Sequence, residues 1–227
     1  MSRRMILPLL FGLIGAAILI GLGTWQMQRL AWKQAILAEI DAQIGAEPVA
    51  LPAVVDPVRD RFLAVTVDGR LTGEGLDVLV SRKEIGAGYR AIAVMETADG
   101  RRILLDRGFL PQDARDLPRR VTTLQVTGNL HWPAEVDSYT PAPDLTDNLW
   151  FARDVTAMAA ALQTEPVFIV ARAPTGDGIE AMPVDSSAIP NDHLGYAITW
   201  FSLAVGWLGM TVLLLWRIKR QNVSDGA

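Results

Sequence analysis

Cysteine is absent from the 227 residues, and histidine occurs only as His131 and His193. The first absence excludes disulfides, thiolate metal sites and covalent haem attachment through a cysteine pair. There is also no H-E-x-x-H, no G-x-S-x-G, no phosphate-binding glycine loop and no close grouping of Ser, His and Asp, so catalysis finds little support. Net charge is -4 and the middle of the chain carries no basic block, which argues against a nucleic-acid partner. Charge of either sign is missing from two further places, residues 5–23 and residues 194–216.

Each of those two stretches is long enough to cross a bilayer as a helix, since a span needs about 20 mostly apolar residues at a rise of about 1.5 Å each. The remaining residues between them are enough for one compact extramembrane domain. Arg3 and Arg4 precede the first stretch, and Arg217, Lys219 and Arg220 follow the second. The excess of basic residues in these short tails predicts that both termini are cytoplasmic and that the central domain is periplasmic, or lies in the equivalent organellar space. A cleaved signal peptide shares the basic start and apolar run of the first stretch. The run is too long for one, and Gly23, Thr24, Trp25 and Gln26 offer no small-x-small site at its end.

Helical periodicity continues past Gly23 through Leu30, Ile36, Leu37, Ile40 and Ile44, and then Gly45, Pro48, Pro52 and Pro57 mark a linker. Beyond it the period changes to two. Residues 62–71, 76–82, 89–96, 102–110 and 123–132 read as five strands rich in Val, Ile, Leu and Thr, and Asp99-Gly100 predicts a tight hairpin between the third and fourth. The Ala-rich residues 153–163 predict one short helix, and residues 167–172 a sixth strand. Residues 173–192, rich in Gly, Pro, Asp and Ser, return the chain to the membrane as an ordered loop or a hinge. The expected fold is an α+β membrane protein in which two transmembrane helices flank one mainly antiparallel β domain with a short helix. That domain suits a partly closed barrel or an open sheet, and we lean to the barrel. The expected divisions are a tail (1–4), the first span (5–23), a helical extension and linker (24–47), the β-rich domain with its return loop (48–192), the second span (193–216) and a second tail (217–227).

His193 stands where the polar return segment meets the second span, directly after Asn191 and Asp192, either of which is a good N-cap. The first turn lies at the positive end of the helix dipole, which favours an uncharged ring whose nitrogen lone pair can ligate iron. Tyr196, Ala197 and Trp200 share its helical face. On the first helix, Trp25, Arg29, Trp32 and Ile36 form a stripe in which an arginine sits between two indoles. Such a stripe can stack a flat macrocycle and hold a carboxylate. Interfacial anchoring explains the same aromatics without any ligand. His131, beside Trp132 and Pro133 at a strand end, reads as a packed or exposed residue, and Asp99, Asp106, Asp113 and Asp116 as solvated or arginine-paired residues of turns and strand ends.

Leu22-Gly23-Thr24-Trp25-Gln26 with Arg29, Trp32 and Lys33 resembles the N-terminal signature of the surfeit-locus cytochrome oxidase assembly proteins. Gly88-Tyr89, Asp99-Gly100 and Leu105-Asp106-Arg107-Gly108-Phe109-Leu110-Pro111 resemble the family's central block, with Phe109 where tryptophan is common and Asp106 where asparagine is common. The run from Asn191 to Phe201 resembles its C-terminal signature. The resemblance implies a non-enzymatic assembly factor in the bacterial inner membrane that binds haem a and helps deliver it to subunit I of cytochrome c oxidase. His193 matches the proposed axial ligand of the haem iron, and Trp200 is implicated in the same site. Tyr196, Trp25, Arg29 and Trp32 extend that site on physical grounds. The implied partners are oxidase subunit I, haem a synthase and membrane lipids. Two rival readings are a scaffold for immature subunit I that binds no haem, and a membrane-bound haem-modifying enzyme.

Overall fold

The computed structural model describes residues 3–224 except Glu84 and Ala188, so residues 1–2 and 225–227 of the two expected tails lie outside the described residues. The chain divides into two compact units, one made of Met1–Glu39 with Ser187–Ala227 and the other of Ile40–Ser186. Helix α1 runs over Arg3–Ile44, and α3, the last helix, over His193–Ser224. Both are long and apolar enough to cross a membrane. At about 1.5 Å per residue α1 is roughly twice as long as a hydrocarbon core is thick, in line with the helical period that continues beyond Gly23.

The second unit is a closed barrel. Strand β2 (Ala64–Arg82) pairs antiparallel with β3 (Gly86–Thr97), β3 with β4 (Arg102–Pro111), β4 in parallel with β7 (Phe168–Ala171), β7 antiparallel with β5 (Thr122–Leu130), and β5 back onto the first half of β2. Closure gives each of these five strands a neighbour on both sides over at least part of its length, which shortens the edge open to edge-to-edge pairing. Two two-residue strands, β1 (Val49–Ala50) and β6 (Leu149–Trp150), add to β2 in parallel. The β3–β4 hairpin turns at Gly100, which has φ +85° as a tight turn requires.

Residues 62–71 and 76–82 do not form separate strands. They are the two halves of β2, joined through an irregularity between Leu71 and Gly75. The first half pairs with β5 and the second runs along β3 with only the two-residue β6 on its other side, so the irregularity bends one long strand around the barrel, as bulges do. Gly75 belongs there because a Cβ would fall on the Ile92 carbonyl. The other departures are at the margins: β1 and β6 fall outside the expected strands, and β5 ends at Leu130, one residue before His131.

Alternation along the strands builds two apolar layers. Val65, Val67, Leu71, Ala93, Met95, Ile103, Leu105, Val126, Leu130, Ile169 and Ala171 fill the barrel. Leu76, Val78, Ile92, Leu104, Phe168 and Val170 point outward, where Trp150 and helix α2 (Val155–Leu162) cover them. Residues 103–105 are therefore buried in succession because β4 is covered on both faces. Burial of such a side chain contributes about 1.5–3 kcal/mol. Asp154 caps α2, accepting from the Ala157 N–H at 3.0 Å, and Gln163 ends it in the left-handed region, so residues 153–163 read from the sequence are this helix with its caps.

Thr175 to Glu180 of the return segment are held against the barrel. Arg107, almost fully buried, extends from β4 to the Thr175 hydroxyl (2.7 Å), the Thr175 and Gly176 carbonyls (both 3.2 Å) and Asp177 (2.9 Å). Glu180 pairs through its backbone with Phe109, and Ile179 packs against Ala91 and Leu110. Arg107 and Gly108 together oppose Ala91, a bulge that Gly108 permits with φ +112° and with no Cβ to strike Ala181.

Candidate functional site

Helices α1 and α3 meet along a seam of small residues. Gly12 lies against Thr211, Gly15 against the Trp207 indole and Gly23 against Phe201, where an added Cβ would fall 2.6 Å from Cε1. As the number falls on one helix it rises on the other, so the pair is antiparallel. The buried positions of α1 are Gly12, Ala16, Gly23, Gln26 and Leu30, a recurrence of four, seven, three and four residues that keeps one face inward. In lipid there is no hydrophobic gain from pairing, so close approach at glycine and alanine and hydrogen bonds between helices supply the association. Trp207 Nε1 donates to the Gly12 carbonyl at 3.0 Å, and Trp207 stacks at a tilt with Phe11, ring centroids 5.3 Å apart.

His193 opens α3, and its Nδ1 lies 2.8 Å from Oε1 of Gln26. Ala197 is buried one turn on, and Trp200 is half-buried. Tyr196 is exposed, as are Trp25 and Trp32. The Arg29 guanidinium lies over Trp32, 4.3 Å from the ring centroid, a cation–π contact that fixes part of the expected stripe.

The structure thus brings the two helices together but sets the Trp25, Arg29 and Trp32 stripe beside the seam rather than in it. Successive residues on a helix are about 100° apart, so Gln26, one position after Trp25, is the residue that faces α3. At this level Gln26 and His193 meet directly across the seam. Farther along, Gly15, Ile18, Leu19, Leu203 and Trp207 line an apolar pocket of about 290 Å³. Sequence reading did not single out Gln26 as a site residue, although a lone amide at the period of Gly12, Ala16, Gly23 and Leu30 was the available signal.

The barrel carries a separate buried polar cluster. Asp106, fully buried in the middle of β4 rather than at a strand end, pairs with Arg90 and with Arg153 (3.4 Å) and accepts from the Gly108 N–H at 3.0 Å. Arg153 also forks onto Glu135. Burial would raise the Glu135 carboxyl, but Arg153 outweighs it and holds the group below the usual range. His131 stacks on Phe62 with centroids 5.4 Å apart, and its Nδ1 is buried without a partner among the described residues. Burial first, then the charges of Arg153 and Arg61, pushes it down to about 4. Both carboxylates of the cluster, Asp106 and Glu135, are matched by arginine, and the His131 ring is enclosed among them uncharged. Among the described residues no three His, Asp or Glu side chains are grouped to hold a metal ion.

Residues 13–205 match the family model described as the SURF1 family. A SURF1-like protein of Rickettsia felis is 27% identical over 223 residues, covering 93% of this chain and 96% of its own length. A SURF1-like protein of Monosiga brevicollis is 30% identical over 217 residues, covering 86% of this chain and 82% of its own. Human Surfeit locus protein 1 is 29% identical over 214 residues, covering 81% of this chain and 69% of its own. The matched region takes in the seam as far as Ala204, His193 and the whole barrel, and this chain belongs to the SURF1 family.

Proposed function

We propose that this protein is a membrane-anchored assembly factor for a haem a type cytochrome c oxidase, and that it takes up haem a as cargo for delivery to subunit I. The observation that carries the reading is His193: one ring nitrogen is engaged by Gln26, and the other makes no hydrogen bond among the described residues. Haem iron accepts an axial imidazole nitrogen, and one protein ligand suffices for a carrier that must later release its cargo. Because the seam is closed at His193, the macrocycle lies on the flank of the helix pair. Tyr196, Trp200, Trp25 and Trp32 supply flat apolar surface there, and Arg29, already stacked on Trp32, supplies a guanidinium for a propionate. The hydrocarbon tail is accommodated by lipid or the helices.

In this reading the protein turns over nothing. The termini are cytoplasmic and the barrel is periplasmic in the bacterial inner membrane. Subunit I and haem a synthase are its partners, the barrel being the part that meets immature subunit I. Purification from cells that synthesise haem a tests the proposal. We expect a Soret band that His193→Ala abolishes or strongly shifts while the fold is retained. A colourless wild-type protein that still captures subunit I would replace the carrier with the haem-free scaffold.

A further inference from the structure

Among the described residues Gln26 is the buried polar side chain of the helix pair, only 9% exposed. An amide placed among Gly23, Leu30 and Ala197 is unfavourable unless its polar atoms are bonded. Its carbonyl oxygen meets the one histidine of this unit at 2.8 Å. Gly23, one turn before, lets α3 approach closely enough for that reach, since its missing side chain leaves room for Phe201.

We infer that Gln26 is a positioning residue that sets the tautomer of His193, holding the proton on Nδ1 and presenting the lone pair of Nε2 to iron. The inference rests on the carrier reading above. A carbonyl oxygen only accepts, so Oε1 opposite Nδ1 requires N–H at Nδ1, and a neutral imidazole then has its lone pair at Nε2. The same bond fixes the plane of the ring. A partner on the far nitrogen also raises the basicity of the ligating one, and loss of such a partner lowers affinity by about 10- to 100-fold. An amide does this more weakly than a carboxylate, which suits a site that holds its cargo firmly enough to carry it and loosely enough to give it up. Because Gln26 and His193 come from different helices, the site is complete only when the seam is closed.

The test uses the full chain in nanodiscs with nitrogen-15 labelled histidine. Without haem, the His193 spectrum of the wild type should show protonated Nδ1 and bare Nε2. Gln26→Met, which keeps the bulk and removes the acceptor, should give a mixture of tautomers. Haem-loaded Gln26→Met should bind about 10- to 100-fold more weakly with a more positive midpoint potential. Gln26→Glu should shift the potential in the negative direction, and this arm decides alone if the Met variant does not fold. A wild-type ring protonated on Nε2, or a tautomer and potential indifferent to both substitutions, overturns the assignment of Gln26 and leaves the carrier reading standing. A wild type that shows the stated tautomer and takes up no haem overturns the carrier reading, and with it any role of Gln26 toward iron.

Discussion

In the barrel, Ile103, Leu104 and Leu105 are buried one after another, and even a carboxylate, Asp106, is fully enclosed. Across the helix pair the inward face of α1 is Gly12, Ala16, Gly23, Gln26 and Leu30, and most large apolar side chains of both helices point away from it. The two regions solve opposite problems. A barrel in water gains from removing apolar area and can then absorb a buried ion-paired network. Helices in lipid gain nothing by hiding leucine, so small residues set their distance and a single amide–imidazole bond is a large part of what is specific about their contact. Stability should therefore reside in the barrel, and the proposed haem uptake should depend on the pair.

Asp106→Ala is the strongest way to break the barrel side of this comparison. It strands Arg90 and Arg153 without their shared acceptor and frees the Gly108 N–H at the bulge. Removing one side of a buried pair costs about 3–5 kcal/mol. Denaturant unfolding followed by tryptophan fluorescence should show that loss as a lower midpoint. A change below about 1 kcal/mol would mean that the network is decorative.

The same contrast explains what sequence reading could see. The two spans, the hairpin at Asp99-Gly100, α2 and the closing strand β7 follow from periodicity and turn chemistry that act over a few residues. β2 read as two strands because Thr72, Gly73 and Glu74 look like a turn, and only its pairing with β5 and β3 shows that the chain passes through. β1 and β6, two residues each, exist only by pairing with β2 and have no period of their own. At the site, His193 was legible from its position. Trp25, Arg29 and Trp32 drew attention because they are large, whereas the seam is written in residues that are small, and a shift of one position along α1 turned the inward face from Trp25 to Gln26. The arginine partners of Asp106 lie 16 residues before it and 47 after it, a separation that no local pattern encodes.

A second expected effect is a loss of barrel stability on mild acidification. His131 is held down to about 4 from 6.5, chiefly by burial and then by Arg153 and Arg61. The unfolded chain therefore binds a proton between those values that the folded barrel refuses. Stability from this residue is fully present above pH 6.5 and falls as pH drops toward 4, by roughly 2–3 kcal/mol once partial solvent access is allowed for. Arg90, Arg153 and Arg61 oppose the charged ring and Glu135 favours it. His131→Phe keeps a ring to stack on Phe62 and should flatten the profile between pH 4 and 6.5. An equally steep slope in that variant would place the acid sensitivity elsewhere.

The smallest effect on stability, and the sharpest on the comparison, should come from Gly23→Leu. The new side chain meets Phe201, whose ring lies 2.6 Å from where its Cβ would be, so either Phe201 swings out of the seam or α1 and α3 move apart just before Gln26, and both loosen the contact there. Helix pairing of this kind contributes on the order of 1 kcal/mol, and the barrel's unfolding midpoint should not move. His193, deprived of Gln26, should show the mixed tautomers expected of Gln26→Met and carry less haem. Gly21→Leu is the matching control, because nothing lies within 4 Å of its added Cβ. If Gly21→Leu and Gly23→Leu lower haem content equally, lipid exposure rather than the seam governs the site. If Gly23→Leu alone does so with an unchanged barrel, the two regions divide their labour as their interiors indicate, because a change confined to one turn of α1 has then emptied the site without loosening the fold.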